Sequence, residues 1–372
     1  MIRLSKSCIG DAEKKAAMAV LDHEFLGMGA DVKAFEQEIQ AYLETDRQVM
    51  CVNTGTAALH LAVQAAGIGL GDEVLVPSLT YVGSYQAISA TGATPVSCDV
   101  CEDTLTIDPI DAEKRITSNT KAIMPVYYTG ACPNIDDIYL LAKKHHLRVI
   151  EDAAQAFGSQ YNGKKVGTFG DIICFSFDGI KNITSGEGGA VVTGNKTVAQ
   201  KVQDARLLGV EKDTEKRFEG SRSWDFDVSE QGWRYHMSNL MAAIGREQLK
   251  AFNPVAQKRQ NLARIYDSLF EEQNNITPLN NDYDCIVPHI YVVRLTGSIN
   301  RDEIREKMFE SNIQTGVHYQ PNHLLSKFKL PSDALPIPIV EAIHPEILTL
   351  PLHADLTQEE VKYVGETLKG LL

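Results

Sequence analysis

Apolar runs alternate with helix-period segments through most of this chain, and that alternation constrains the fold more than any single residue does. Residues 48–53 (Gln-Val-Met-Cys-Val-Asn) read as a strand and are followed by a helical segment over residues 56–66. A second strand is expected over residues 73–77, followed by a helix over 81–90. Further strands are expected at 95–98, 122–126 and 148–152, with a helix over 135–145 before the last of them. Alternation of this βαβα kind implies a mainly parallel sheet with helices on both faces, since each element must bury one apolar side against another. In open sheets of that type a ligand sits beyond the carboxyl ends of the strands. Gly55-Thr56, Asp152 and the stretch from Ser176 to Lys181 each follow an apolar run, which assigns them to that edge.

After Ser238 the pattern changes. Residues 238–273 read as a long helical segment with one break near Asn253-Pro254, and the remainder mixes strand (286–295) with helix (301–311, 358–371) in an α+β arrangement. A chain of 372 residues exceeds one ordinary core, so two units are expected, residues 1–250 and 251–372. The Pro-rich piece 335–338 reads as an ordered loop. The net charge of −13 opposes binding to a phosphate backbone, so any phosphate-bearing ligand needs locally placed cations or helix N-termini. No run approaches the roughly 20 apolar residues needed to span a bilayer, and Met1 to Ser5 lead into polar sequence without an apolar signal core. Seven cysteines, an odd number at irregular spacing, point to a reducing cytoplasm. Cys98 and Cys101 have no second pair at metal-ligand spacing and read as structural, with no metal expected; His145-His146 reads as a solvated helix end.

The chemistry concentrates in two stretches. Phe175-Ser176-Phe177-Asp178-Gly179-Ile180-Lys181 places one lysine in a Gly- and Ser-bearing turn after a strand-like run, and Glu151-Asp152-Ala153-Ala154-Gln155 places a carboxylate at the end of another. An amine for a Schiff base, a carboxylate for a pyridinium nitrogen and small polar groups for a phosphate are what a pyridoxal-phosphate enzyme requires. Taken singly, each has a plainer reading: a surface lysine, an acidic strand end, a Thr helix cap at Asn53-Thr54-Gly55-Thr56, a rim aromatic at Tyr81.

The ordered set resembles the DegT/DnrJ/EryC1/StrS family of pyridoxal-phosphate-dependent nucleotide-sugar aminotransferases over nearly the whole chain. Its marks are Gly27-Met28-Gly29, Asn53 to Leu59, Gly71-Asp72-Glu73-Val74, Glu151 to Gly158, Gly167 to Asp171, Phe175-Ser176-Phe177 with Lys181-Asn182, Gly186-Glu187-Gly188-Gly189, Met237-Ser238-Asn239-Leu240 and Leu350-Pro351-Leu352-His353. The resemblance implies the type I fold of pyridoxal-phosphate transferases, α/β and aspartate aminotransferase-like, with a mainly parallel seven-stranded sheet and a smaller α+β C-terminal domain.

Carried over to matching positions, the resemblance implies that Lys181 forms the internal aldimine and Asp152 pairs with the pyridine nitrogen. Gln155 would contact the ring or its phenolic oxygen. Ser176, Gly55 and Thr56 would hold the phosphate, and Tyr81 would stack on the ring. Where the family shows Gly-Tyr-Asn-Tyr-Arg-Met this chain has Gly232-Trp233-Arg234-Tyr235-His236-Met237. The family's Asn reaches the cofactor phosphate of a neighbouring subunit, so Arg234 is assigned to that phosphate or to the substrate's nucleotide. His318 resembles a position lining the sugar pocket. The implied reaction moves nitrogen from L-glutamate to a nucleotide-linked keto-6-deoxysugar, in a homodimer with active sites at the subunit interface. Gly186-Glu187-Gly188-Gly189 resembles family members that act at C4, which implies a 4-keto acceptor; dTDP is preferred over UDP or GDP as the carrier, toward 4-amino-4,6-dideoxy sugars of O-antigen or other cell-surface polysaccharide. A 3-keto acceptor is the alternative. Related dehydratases carry His in place of the lysine, which Lys181 opposes, and a regulatory cofactor-binding role is the remaining reading.

Overall fold

The computed structural model describes residues 1–332 and 334–372. Its strands in chain order are β1 (Gln48–Val52), β2 (Glu73–Pro77), β3 (Thr94–Cys98), β4 (Thr120–Ile123), β5 (Arg148–Asp152), β6 (Gln160–Tyr161), β7 (Lys164–Lys165), β8 (Ile172–Ser176), β9 (Gly189–Thr193), β10 (Ile276–Pro278), β11 (Tyr291–Leu295) and β12 (Ile347–Leu350). Seven of them form one sheet in the order β1-β9-β8-β5-β4-β2-β3. All pairings in it are parallel except those of β9, which runs antiparallel between β1 and β8. The mainly parallel seven-stranded sheet of the type I fold is therefore present.

Successive side chains of a strand face opposite sides, and the two cores show that period of two. Val49 and Cys51 of β1 and Ile173 and Phe175 of β8 enter one core, while Met50, Val52, Ile172 and Cys174 enter the other. The first core is closed by helix Ala30–Leu43, whose Val32, Phe35, Ile39 and Leu43 recur at helical spacing, and by helix Ile135–His145. The second is closed by helices Gly55–Ala65, Val82–Ala90 and Lys196–Ala205. Helix Gly55–Ala65 is buried almost throughout; small Ala57, Ala58, Ala62 and Ala65 let it lie close to the sheet.

β10, β11 and β12 make a separate antiparallel sheet backed by a third core. Helix Phe252–Phe270 joins the two parts: Phe252 and Ala256 belong to the first core, and Leu262, Tyr266 and Phe270 to the third. At the other end of the chain, Ile2 bridges to Ile313 and packs against that third core.

Several boundaries differ from expectation. The helix break falls at Ala251, between Asn239–Lys250 and Phe252–Phe270, with Asn253 and Pro254 inside the first turn of the second helix. Proline is tolerated there because that turn's N–H has no intrahelical acceptor. The strand expected over 122–126 is Thr120–Ile123, with Val126 making only an isolated bridge to Asp152. Of the strand expected over 286–295 only Tyr291–Leu295 forms, because the backbone of residues 286–289 bonds to turns and to other parts of the chain. Pro338, expected in a loop, starts helix Pro338–Ile343. Cys98 and Cys101 are free, and no group of three His, Cys, Asp or Glu among the described residues is placed to hold a metal. No helix among the described residues is long and apolar enough to cross a membrane.

Candidate active site

Parallel strands present their carboxyl ends on one side, and the expected site residues collect there. β1 leads into helix Gly55–Ala65, whose N-cap is Thr54: its side-chain oxygen accepts from the Ala57 N–H at 3.0 Å. The backbone N–H groups of Gly55 and Thr56, in the first turn, have no intrahelical acceptor and point out of the helix end with its dipole. Ser176, the last residue of β8, lies against this turn. A Cβ at Gly55 would come within 2.8 Å of the Ser176 Cβ and 3.0 Å of its Oγ, so glycine is required for the close approach. Thr56 is exposed, and Tyr81 shares its surroundings, since a Cβ at Gly83 would lie 3.0 Å from both Thr56 Oγ1 and Tyr81 Cδ1.

Asp152, the last residue of β5, is buried without an ion pair among the described residues. Its partners are neutral: Ser84 Oγ donates to Oδ2 at 2.7 Å and the Ala154 N–H to Oδ1 at 3.2 Å. Burial raises its carboxyl above the usual carboxylate range, against those two donors and the nearby Lys181. Gln155 accepts from the Thr129 N–H at 2.9 Å through Oε1 and donates from Nε2 to the Tyr319 hydroxyl at 3.0 Å. Tyr319 in turn lies 5.7 Å from Tyr81, centroid to centroid. Tyr81 itself is 59% exposed, at the mouth of the site.

Lys181 sits in the turn after β8 and is half-buried. Burial pushes its amine below the ordinary lysine value, opposed by Asp152 and Asp178. The Nζ lies 3.4 Å from Nε2 of His289. His318 is also close: burial first, then the lysine's charge, pushes its imidazole down to about 4, and its Nδ1 lies 2.9 Å from Thr349 Oγ1. The structure thus brings together Lys181, Asp152, Gln155, Ser176, Gly55, Thr56, Tyr81 and His318. It does not bring Arg234 among them. Arg234 is exposed, bridges to Leu207, and offers its backbone oxygen to Asn53 Nδ2 at 3.5 Å.

Three residues of the site escape the sequence reading. Ser84, Tyr319 and His289 are ordinary in sequence, and only Tyr319 stood beside a residue already singled out. A histidine at the entry to an apolar strand, Pro288-His289-Ile290-Tyr291-Val292, was the available signal for the third.

These features fit a flat, phosphorylated cation. The phosphate has free N–H groups, a helix dipole and two hydroxyls. A protonated ring nitrogen would give the buried, unpaired Asp152 the opposite charge that its present neutral donors do not supply.

Glu151, beside Asp152 on β5, points to the other face of the sheet and is fully buried. Tyr127 and Tyr139 donate to it at 2.6 and 2.5 Å. Arg47 and Asp171 act on it with opposite charge, and burial still pushes it up to about 7. The folded protein therefore holds this proton more tightly than the unfolded chain, whose carboxyl titrates near 4.5. The resulting stabilisation is fully present below the unfolded value and is lost as pH rises through the folded one, a change of about 3 kcal/mol. Glu151→Gln is expected to remove that component from denaturant midpoints measured at pH 5 and pH 8. An unaltered pH slope would show that this carboxyl is ionised throughout.

A model of the DegT/DnrJ/EryC1/StrS aminotransferase family matches residues 7–369. The chain is 33% identical over 371 residues to the spore coat polysaccharide biosynthesis protein SpsC of Bacillus subtilis, covering 98% of this chain and 95% of that protein. The putative sugar aminotransferase Spr1654 of Streptococcus pneumoniae, solved in PMP and PLP forms, superposes with a TM-score of 0.91; its PMP form is 31% identical, over 99% of this chain and 96% of its own. DesV of S. venezuelae, solved in complex with a ketimine intermediate, has a TM-score of 0.87 and 34% identity over 96% of this chain and 94% of its own.

Proposed function

The chain belongs to the DegT/DnrJ/EryC1/StrS aminotransferase family, and within it we propose that nitrogen passes from L-glutamate to a nucleotide-linked 4-keto-6-deoxyhexose. The class itself is a sugar aminotransferase dependent on pyridoxal phosphate. The finer reading takes dTDP as carrier and a 4-amino-4,6-dideoxy sugar for O-antigen or another surface polysaccharide as product. The observation that carries the assignment of roles is the convergence of the Lys181 amine with a buried Asp152 that forms no ion pair among the described residues, at the carboxyl end of one sheet. The preference for C4 rests on Gly186-Glu187-Gly188-Gly189.

When bound, the cofactor supplies an aldehyde carbon that exchanges nitrogen with substrates and a ring that accepts the electrons a departing proton leaves behind. Gly55, Thr56 and Ser176 would hold its phosphate, Tyr81 would lie against its ring, and Gln155 would face its phenolic oxygen. Asp152 would keep the ring nitrogen protonated, with Ser84 and the Ala154 N–H fixing the carboxylate's orientation. Lys181 would bind the aldehyde between turnovers. Once displaced it is a free amine, and with its proton affinity lowered by burial it is suited to take a proton from one carbon and return it to another. His318, uncharged at neutral pH, would face the sugar.

Two further parts belong to the same proposal. Exposed Leu208, Trp224, Phe226 and Val228 lie along the stretch that leads to Arg234, an apolar surface suited to a second copy of the chain. In that homodimer Arg234 would reach the partner's cofactor phosphate. The division at residues 250 and 251 would separate a cofactor-binding domain from a smaller one, and seven unpaired cysteines suit a cytoplasmic enzyme.

Arg234→Ala is expected to weaken cofactor retention about tenfold, read as the cofactor content left after dialysis. Unchanged retention with weaker nucleotide-sugar binding would put Arg234 on the substrate side. For the reaction, dTDP-, UDP- and GDP-linked 4-keto and 3-keto sugars are incubated with glutamate and the new amine is located by NMR. The expected product carries it at C4 of a dTDP sugar; amination at C3, or of another nucleotide sugar only, would overturn the finer reading.

A further inference from the structure

His289 and Lys181 are each other's sole side-chain hydrogen-bond partner among the described residues, with Nε2 3.4 Å from Nζ. The imidazole is buried, and its Nδ1 has no partner among the described residues. Burial, reinforced by Lys181, Arg259 and His318, pushes it well below the ordinary histidine range, so the ring is neutral. A neutral imidazole has one N–H and one bare nitrogen. Whichever tautomer forms, Nδ1 remains unpaired in the interior, a cost that an apolar side chain of the same size would avoid. Packing alone gives no reason for a histidine here; its remaining nitrogen does.

The ring is also firmly placed. Arg259, buried on helix Phe252–Phe270, donates from Nη1 to the carbonyls of Pro288, His289 and Leu352 at 3.4, 3.3 and 3.4 Å. The His289 N–H bonds to the Thr129 carbonyl at 3.4 Å, and the Thr129 N–H to Gln155. The loop carrying His289 is thus tied to the shell that carries Gln155. Charged and titratable groups facing the lysine are Asp152, Asp178, His289 and His318. Of these only His289 is within hydrogen-bond distance of Nζ.

We infer that His289 is a positioning residue for Lys181: its imidazole, 3.4 Å from Nζ, holds the lysine amine in place for proton transfer whenever that amine is not covalently engaged. The inference rests on the reading of Lys181 as the residue that bonds the cofactor and carries the proton. A displaced lysine is a long, flexible side chain, and proton transfer requires its nitrogen within hydrogen-bond reach of the carbon. A fixed acceptor or donor at 3.4 Å limits the positions that chain can take. Because the ring is neutral, it does so without adding a second positive charge beside the amine.

The test compares His289→Phe, which keeps the bulk and loses both nitrogens, with His289→Gln, whose amide reaches about as far as Nε2. In the first, kcat is expected to fall about 30- to 100-fold with KM for glutamate within about twofold. Pyridoxal phosphate added to the cofactor-free protein is expected to form its lysine-bound visible band about tenfold more slowly, whereas His289→Gln recovers most of both rates. Borohydride fixation followed by peptide mapping reports whether the cofactor sits on Lys181. Fixed cofactor with unaltered rates in His289→Phe would overturn the inference alone. Equal losses in both variants, accompanied by lower melting temperatures, would make the role structural and overturn it too. Failure to fix cofactor on Lys181 in the unaltered protein would overturn the reading of Lys181 itself, and the inference with it.

Discussion

Lys181→Ala is expected to abolish transamination while leaving the fold intact. General acid–base catalysis by a positioned side chain contributes about 10²- to 10⁴-fold, and this lysine would serve at both carbons of each half-reaction. The covalent hold on the cofactor goes with it. A fall of at least about 10³ in kcat, equivalent to about 4 kcal/mol of barrier, is the expected result. The fold should survive because the side chain contributes little to it. Its one side-chain hydrogen-bond contact among the described residues is His289 at 3.4 Å, and burial already penalises the charged amine. Truncation removes that penalty, so the melting temperature should hold or rise slightly. The checks are glutamate-dependent transfer, loss of the borohydride-fixed visible band, and circular dichroism. Turnover near the native rate would sink the assignment of Lys181.

The second large effect concerns stability. Arg206, fully buried at the end of helix Lys196–Ala205, donates from Nη1 to Glu36 Oε1 at 2.5 Å and to the Cys51 carbonyl at 2.8 Å. The Cys51 N–H donates to the same Glu36 oxygen at 2.8 Å, so this ion pair ties helix Ala30–Leu43 and the end of another helix to β1. The Arg206 carbonyl also receives the N–H groups of Tyr235 and His236, which follow Arg234. Nε and Nη2 have no partner among the described residues, and burial raises the Glu36 carboxyl. A buried pair of this kind contributes little net stability, but breaking it is costly because one charge is left uncompensated. Glu36→Leu strands a guanidinium that cannot shed its proton and should cost about 3–5 kcal/mol in denaturant unfolding. The double variant Glu36→Leu with Arg206→Met should recover the part of the loss that comes from the stranded charge, about 2 kcal/mol, and stay below the parent because the Cys51 N–H and carbonyl lose their partners. Additive losses in the double variant would show that each side chain acts through packing rather than through the pair.

The strands that carry the site were legible because their apolar runs are short, uninterrupted and followed by helical periods. Glu73–Pro77 and Arg148–Asp152 begin and end where the residue pattern places them. β9 was not legible as a site element. Its Gly189–Thr193 run says nothing of lying antiparallel between β1 and β8, a placement set by which edges remain open once the parallel strands have paired. Local pattern likewise overstated the strand before Tyr291, because a backbone that bonds to Ser159 and Arg259 is unavailable to a sheet.

Among site residues, Lys181, Asp152, Gln155, Ser176 and the Gly55-Thr56 turn are legible for one reason. Each stands within a few residues of a strand end, and parallel topology sends all such ends to one side. Ser84 is hidden inside a helix, and its bond to Asp152 crosses from one strand-to-helix unit to another. His289 comes from the other part of the molecule altogether, more than a hundred residues from the lysine it meets.

By itself, then, the residue order determined the βαβα architecture and the chemical inventory at its strand ends: an amine, a carboxylate and an anion-ready helix start. These depend on local periodicity and on side-chain type, both of which are written in the chain. Only the tertiary structure decided the protonation of these groups and their partners. Burial is a property of the packed molecule, and it is the main cause that raises Asp152 and lowers Lys181 and His289, the last with help from neighbouring cationic groups. Contacts between distant segments are decided in the same way, since a 3.4 Å approach of His289 to Lys181 exists only once both parts have folded against each other.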